Sequence, residues 1–292
     1  MVTLHGIRKQ TKHIYQTTSQ IYRTTTSPMR IMPDFIIIGV ARAGTTSLYN
    51  YLIEHPNIGS AAKKEVHFFD YHFQKGMSWY RGHFPYSLRK YYEESIRKLD
   101  FITGEASPYY MYHPYAPERI AKALPNVKLL VILRNPIERA FSHYSWEVSW
   151  GNETLSFEDA IDCEEERIQQ DLAILAHHYG HNHQHCSYIS RGLYADQLET
   201  WFKFFPREQF LILKSEDMYK EPAAIYKQAI EFLGVPYVVP KELAKEYKQY
   251  NQPKQASSTK VKLNPATRER LAAYYKPHNE RLHELLGRDF GW

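Results

Sequence analysis

The 292-residue sequence predicts an α/β protein, a three-layer αβα arrangement around a central, mostly parallel sheet. Two observations carry this. Strand-like segments at 35–38, 100–105, 127–133 and 209–213 are separated by segments of helical spacing, and those at 35–38 and 127–133 are largely apolar and continuous rather than alternating, as in strands buried on both faces. The first and third runs each end in a turn that leads directly into a helix start, which places ligand sites at the carboxyl ends of the strands.

Taken in order, residues 1–30 show no periodicity and read as a flexible N-terminal arm, ahead of one domain at 31–292 with no internal repeat. No apolar run reaches 18 residues and the first 30 lack an apolar core, so neither a transmembrane segment nor a secretory signal is expected. Only Cys163 and Cys186 are present, which suits a reducing, cytoplasmic setting. The net charge of +5, with no long block of one sign, suits an anionic ligand in a local basic site better than nucleic acid.

The run 35–38 reaches Gly39, a small-residue turn closes at Gly44, and Thr45, Thr46 and Ser47 open a helix that Pro56 stops. Amide N–H groups at such a helix start have no partner within the helix, so the turn is an anion cradle. The spacing Gly39-x4-Gly44 is that of a Walker A loop, yet Thr45 stands where that loop has Lys, and the near cation is Arg42.

Residues 63–70, KKEVHFFD, read as a short extended segment with Glu65, His67 and Phe69 on one side. A short amphipathic helix carrying Trp79 and Tyr80 follows at 76–84. The strand at 100–105 leads into Ser107-Pro108-Tyr109-Tyr110 and a helix at 117–124. The clearest strand, 127–133, ends in Arg134; Pro136 then sits in a first helical turn and Ser142 about two turns in. Further on come a charged helix at 157–176, a polar His-rich loop at 177–186 and an amphipathic helix at 191–205. After the strand at 209–213, a helix at 222–233 stops at Gly234. Residues 241–262 are Lys/Gln/Ser-rich and irregular, and a final helical region at 264–286 is expected to break near Pro277.

A magnesium-dependent nucleotide triphosphatase carries an Asp after its second strand. Arg134 in that place points to direct binding of an anion. Together, PDFIIIGVARAGTTSL at 33–48, LRNPIERAFSHY at 133–144, RGLY at 191–194 and the terminal GRDFGW resemble the PAPS-dependent carbohydrate sulfotransferases. EVHFFD at 65–70 is similar to the heparan sulfate 3-O-sulfotransferases.

The resemblance implies a P-loop NTPase-like sulfotransferase fold and transfer of a sulfuryl group from PAPS, leaving PAP, with no metal required. It assigns Arg42, Ala43, Gly44, Thr45, Thr46 and Ser47 to the 5′-phosphosulfate, and Arg134, Ser142, Arg191 and Gly192 to the 3′-phosphate. Lys254, Ser257 and Ser258 fall in a loop that closes over the nucleotide. The residues alone leave Glu65 and His67 as equal candidates for the base; the resemblance selects Glu65, with Arg42 and His67 beside it. The acceptor it implies is a hydroxyl, less readily an amine, on a glycan, glycolipid or small molecule.

Three departures bear on that reading. Arg42 replaces the usual Lys, Ala106 in EASPYY replaces an active-site Lys, and a cysteine pair near the carboxyl end is missing. The missing cysteine pair fits an intracellular, bacterial-type member and weighs against a heparan acceptor. The rival expectations are a metal-dependent P-loop kinase and a catalytically silent nucleotide- or glycan-binding protein. The His-rich stretch 177–185 suits a polar acceptor-facing or solvent loop better than a metal site.

Overall fold

A computed structural model provides the structure, which describes residues 17–240 and 262–292. Five strands, β1 (Phe35–Gly39), β2 (Ile58–Ser60), β3 (Ile102–Ala106), β4 (Lys128–Leu133) and β5 (Phe210–Lys214), lie in the order β2-β3-β1-β4-β5. Every pairing is parallel, with Phe35 of β1 opposite Gly104 of β3 and Lys128 of β4. Phe35 to Ile38 have no exposed surface at all, which explains why the run is unbroken by polar residues. Each such side chain contributes roughly 1.5–3 kcal/mol by leaving water.

The chain goes from β1 out to one edge of the sheet, returns, and then crosses to the other side. The reversal falls between β1 and β4, so the loops leaving these two strands flank one crevice. That is where the two anion motifs of the sequence meet.

The helices are α1 (Thr45–Ile53), α2 (Met77–Arg81), α3 (Ser87–Tyr91), α4 (Ala116–Ala123), α5 (Pro136–Trp150), α6 (Phe157–Asp162), α7 (Glu164–Leu172), α8 (His181–His185), α9 (Tyr194–Phe202), α10 (Ser215–Lys220), α11 (Pro222–Leu233) and α12 (Pro265–Leu286). The start of α5 is fixed chemically: Asn135 Oδ1 accepts from the N–H groups of Ile137 and Glu138 at 3.0 and 3.3 Å, and Pro136 occupies the first turn. At the end of α11, Gly234 takes the left-handed conformation at φ 80°.

Several sequence expectations are corrected. Residues 63–70 form no strand, because Glu65 (φ 60°) and His67 (φ 55°) both turn left-handed. The segment 157–176 is two helices separated at Cys163, and α9 begins only after a 3-10 turn at Ser190–Gly192. The stretch 177–186 contains α8. Pro277 does not break α12, whose buried Tyr275 and Leu282 hold the helix on the body from both sides of the proline.

Residues 17–25 are helical, and Arg30 NH1 donates to the Phe84 carbonyl at 2.8 Å, so part of the expected arm is docked on the domain. Lys254, Ser257 and Ser258 lie outside the described residues. Among the described residues, no helix is long and apolar enough to cross a membrane.

Candidate active site

A cavity of about 440 Å³ opens in the crevice between β1 and β4. Its wall brings together Arg42, Gly44, Thr45, Thr46, Ser47, Glu65, His67, Arg134, Ser142 and Arg191, residues drawn from five separate stretches of sequence.

Gly44 precedes α1 at φ 98°, and a Cβ there would lie 2.1 Å from the Met218 methyl group, so both conformation and space require glycine. It brings no capping side chain, and the amide end of α1 faces the cavity with its positive dipole end. Ala43 is buried behind the wall, where its carbonyl accepts from Ser215 Oγ at 2.8 Å and ties the turn to α10. It supports the cradle without lining it.

The two cations meet here. Arg134 follows β4 directly and its NH1 donates to the Arg42 carbonyl at 2.7 Å. Arg42 Nε donates to Ser142 Oγ at 3.2 Å, and its guanidinium lies 4.5 Å over the Trp146 ring. Burial, and then the neighbouring Arg134, push the Arg42 pKa down to about 10, which leaves it charged at neutral pH.

Arg191 lines the same cavity and is also bonded within the protein. Its Nε donates to Ser187 Oγ at 2.6 Å, its NH2 to the carbonyls of His183 and Gln184, and Tyr109 and Tyr112 cover it at 4.8 and 5.1 Å. Its charge reaches the cavity while these donors hold the α8 turn. Gly192 is held against the Tyr275 ring, where a Cβ would sit 2.6 Å from the hydroxyl, and does not line the wall.

The acid–base group comes from the loop after β2. His67 Nδ1 donates to Asp70 Oδ2 at 2.5 Å, and His67 Nε2 faces Glu65 Oε2 at 3.3 Å. Lys64 Nζ donates to Glu65 Oε1 at 2.5 Å. Burial disfavours the charge on His67, but Asp70 and then Glu65 outweigh it and lift the pKa to about 9. Burial likewise opposes charge on Glu65; the hydrogen bond from His67 and the Lys64 charge prevail and hold it at about 2. At neutral pH the loop therefore carries an ionised carboxylate beside a protonated imidazole.

This has a measurable sign. The stability His67 contributes is complete below its usual 6.5 and is lost as pH rises through about 9. Denaturation midpoints should decline over that window in the wild type and decline less in His67→Asn; equal slopes would contradict the assignment.

Beneath the loop, Glu105 is fully buried and accepts from Tyr80, Tyr110 and Ser107 at 2.8, 3.1 and 2.7 Å. Ser107 Oγ in turn accepts the His67 N–H at 3.1 Å, and the Tyr110 hydroxyl accepts the Phe68 N–H at 2.8 Å. The EASPYY segment thus fixes the left-handed turn that aims Glu65 and His67.

Residues 32–280 match the sulfotransferase domain family. The chain belongs to the sulfotransferase family. The heparan sulfate glucosamine 3-O-sulfotransferase 6 of Mus musculus is 32% identical over 279 residues, covering 90% of this chain and 74% of that protein. The membrane-associated sulfotransferase kil1 of Dictyostelium discoideum is 26% identical over 331 residues, covering 89% and 66%. The solved sulfotransferase from Alicyclobacillus acidocaldarius superposes with a TM-score of 0.65 at 32% identity, covering 89% of this chain and 98% of that one.

In this sulfotransferase the sequence reading missed a second polar cluster. Glu147, two turns along α5 from the Arg139–Ala140 step, accepts from His143 Nε2 at 3.3 Å, His185 Nδ1 at 2.8 Å and Asn152 Nδ2 at 2.8 Å. Burial opposes its charge, but the hydrogen bonds from His143 and His185 hold its pKa well below the carboxylate range; burial drives His143 down to about 3, so it is neutral. The i,i+4 pair His143 and Glu147 was the available signal. His183 is buried, bonded through Nδ1 to the Tyr109 hydroxyl at 2.7 Å and stacked on Tyr112. Among the described residues no group of three or more His, Cys, Asp or Glu is arranged to hold a metal.

Proposed function

We propose that this sulfotransferase moves a sulfuryl group from PAPS to a hydroxyl of a carbohydrate-bearing acceptor, with Glu65 taking the hydroxyl proton. The observation that carries the reading is an ionised Glu65 in the same cavity as the α1 amide end and two converging arginines. Arg42 and residues 44–47 would cradle the 5′-phosphosulfate, with Ala43 behind them, and Arg134 with Ser142 the 3′-phosphate. In the transfer, the acceptor oxygen forms its bond to sulfur as the sulfur–oxygen bond to the phosphate breaks, PAP departs, and the proton passes to Glu65.

His67 is charged and has no room for a second proton, which disfavours it as the base. Its place beside Glu65 suits it to steady negative charge on the transferring group. The carbohydrate acceptor is supported by the relatives' names. The two cysteines are free thiols, which agrees with a reducing compartment such as the cytoplasm.

A metal-dependent kinase is not favoured, since Arg134 occupies the position of a magnesium-binding Asp. PAP should accordingly raise the melting temperature in the presence of a chelator, because arginines and amides supply the charge that magnesium supplies elsewhere. Stabilisation by ATP with magnesium and none by PAP would reverse the reading.

A further inference from the structure

The donor-binding side of the cavity uses arginines and amides; another part of the same wall carries a carboxylate and two unpaired acceptor atoms. His143, Trp146, Glu147, Gln184 and His185 all line it. Glu147 offers carboxylate oxygens, held in place by His143, His185 and Asn152. Gln184 Oε1 and His143 Nδ1 are buried with no hydrogen-bond partner, and with Nε2–H committed to Glu147, His143 Nδ1 carries a lone pair. Two bare acceptors beside an anion call for donors, since an unmatched buried acceptor costs its lost hydration.

This wall is continuous with the acid–base loop. Tyr71 stacks on His67 at 4.6 Å and meets Tyr179 edge-on at 5.2 Å, and the Tyr179 hydroxyl shares a 2.5 Å hydrogen bond with His185 Nε2. These contacts tie the acid–base loop to His185 in the wall, with Glu65 and His185 lining the same cavity. The indole of Trp146, with Arg42 over one face, separates this part of the wall from the donor cradle.

We propose that His143, Glu147 and Gln184 form an acceptor subsite that takes the hydroxyl donors of an uncharged sugar ring and excludes rings bearing carboxylate or sulfate. The inference rests on the sulfotransferase reading and narrows its substrate class. Hydroxyls can donate to Gln184 Oε1, His143 Nδ1 and Glu147 together, whereas an anionic substituent has no proton to give. It would also place negative charge beside Glu147, Glu65 and the transferring sulfuryl group. The cavity's three arginines do not offset this: Arg191 is bonded to carbonyls and Ser187, while Arg42 and Arg134 converge at the donor cradle.

The test is calorimetric binding to the PAP-loaded enzyme of a neutral disaccharide, methyl lactoside, and of a matched disaccharide in which one ring is a uronate. The neutral sugar should bind about tenfold or more tighter. Glu147→Gln and Gln184→Leu should each weaken it about fivefold, leaving PAP affinity unchanged, and Glu147→Gln should also narrow the preference. Two variants are used because the first alters a buried carboxylate. Equal or tighter binding of the uronate, no binding of the neutral sugar, or wild-type binding by both variants would overturn the proposal while PAP still binds. Failure of PAP itself to bind would instead overturn the sulfotransferase reading beneath it.

Discussion

Replacing Glu65 by Gln is expected to lower kcat by about 10²–10⁴-fold while PAP affinity stays nearly unchanged. The amide keeps the shape of the side chain and its contact with Lys64, but cannot accept the hydroxyl proton. Single-turnover rates with labelled PAPS, and PAP titration of the same preparation, separate the two effects. His67→Asn should cost less, because it removes a charge that steadies the site rather than the proton acceptor. It should also remove the alkaline limb of the rate profile, which falls near pH 9 as the imidazolium is lost. Near-normal turnover in Glu65→Gln with none in His67→Asn would make histidine the base.

Arg134→Ala should weaken PAP by about ten- to a hundredfold, the cost of one charge-assisted contact to phosphate. Adenosine 5′-phosphosulfate, which lacks the 3′-phosphate, should weaken much less. The comparison matters because Arg134 NH1 also holds the Arg42 carbonyl, and through it the turn that cradles the 5′ end. Equal weakening of both ligands would show that Arg134 acts on the turn and not on the 3′-phosphate.

How much of this was legible differs from element to element. The strands at 35–38 and 127–133 could be read because burial on both faces leaves them apolar apart from Lys128 near the start of the second, and the Gly44 and Pro136 helix starts because their chemistry is local. The loop at 63–70 could not. Its alternation suggested an extended segment, but the hydrogen bonds that hold Glu65 and His67 left-handed come from Ala106 and Ser107, about forty residues away. The two side chains do face one another, for a reason other than strand geometry.

Arg191 was legible in part. Its position before a helix suggested a place at the site, and it does line the cavity; only the fold shows that the carbonyls of α8 are also within its reach. Glu105 was read only as part of a segment lacking a lysine; its role as the hub under the loop depends on Tyr80 and Tyr110, which are 25 and 5 residues distant.

The guanidinium of Arg42 above the Trp146 indole gives this cavity an optical property. Indole emission responds to charge at the ring face, and the phosphosulfate is the stronger attraction for a cation now held by one hydroxyl and an aromatic surface. Nucleotide arriving at the cradle should draw Arg42 off the ring, so the protein's own fluorescence becomes a titration signal for occupancy. With five tryptophans in the chain, the component that responds is the one abolished in Trp146→Phe. An unchanged spectrum on saturation with PAP would mean that Arg42 keeps its perch on the ring when the nucleotide is bound.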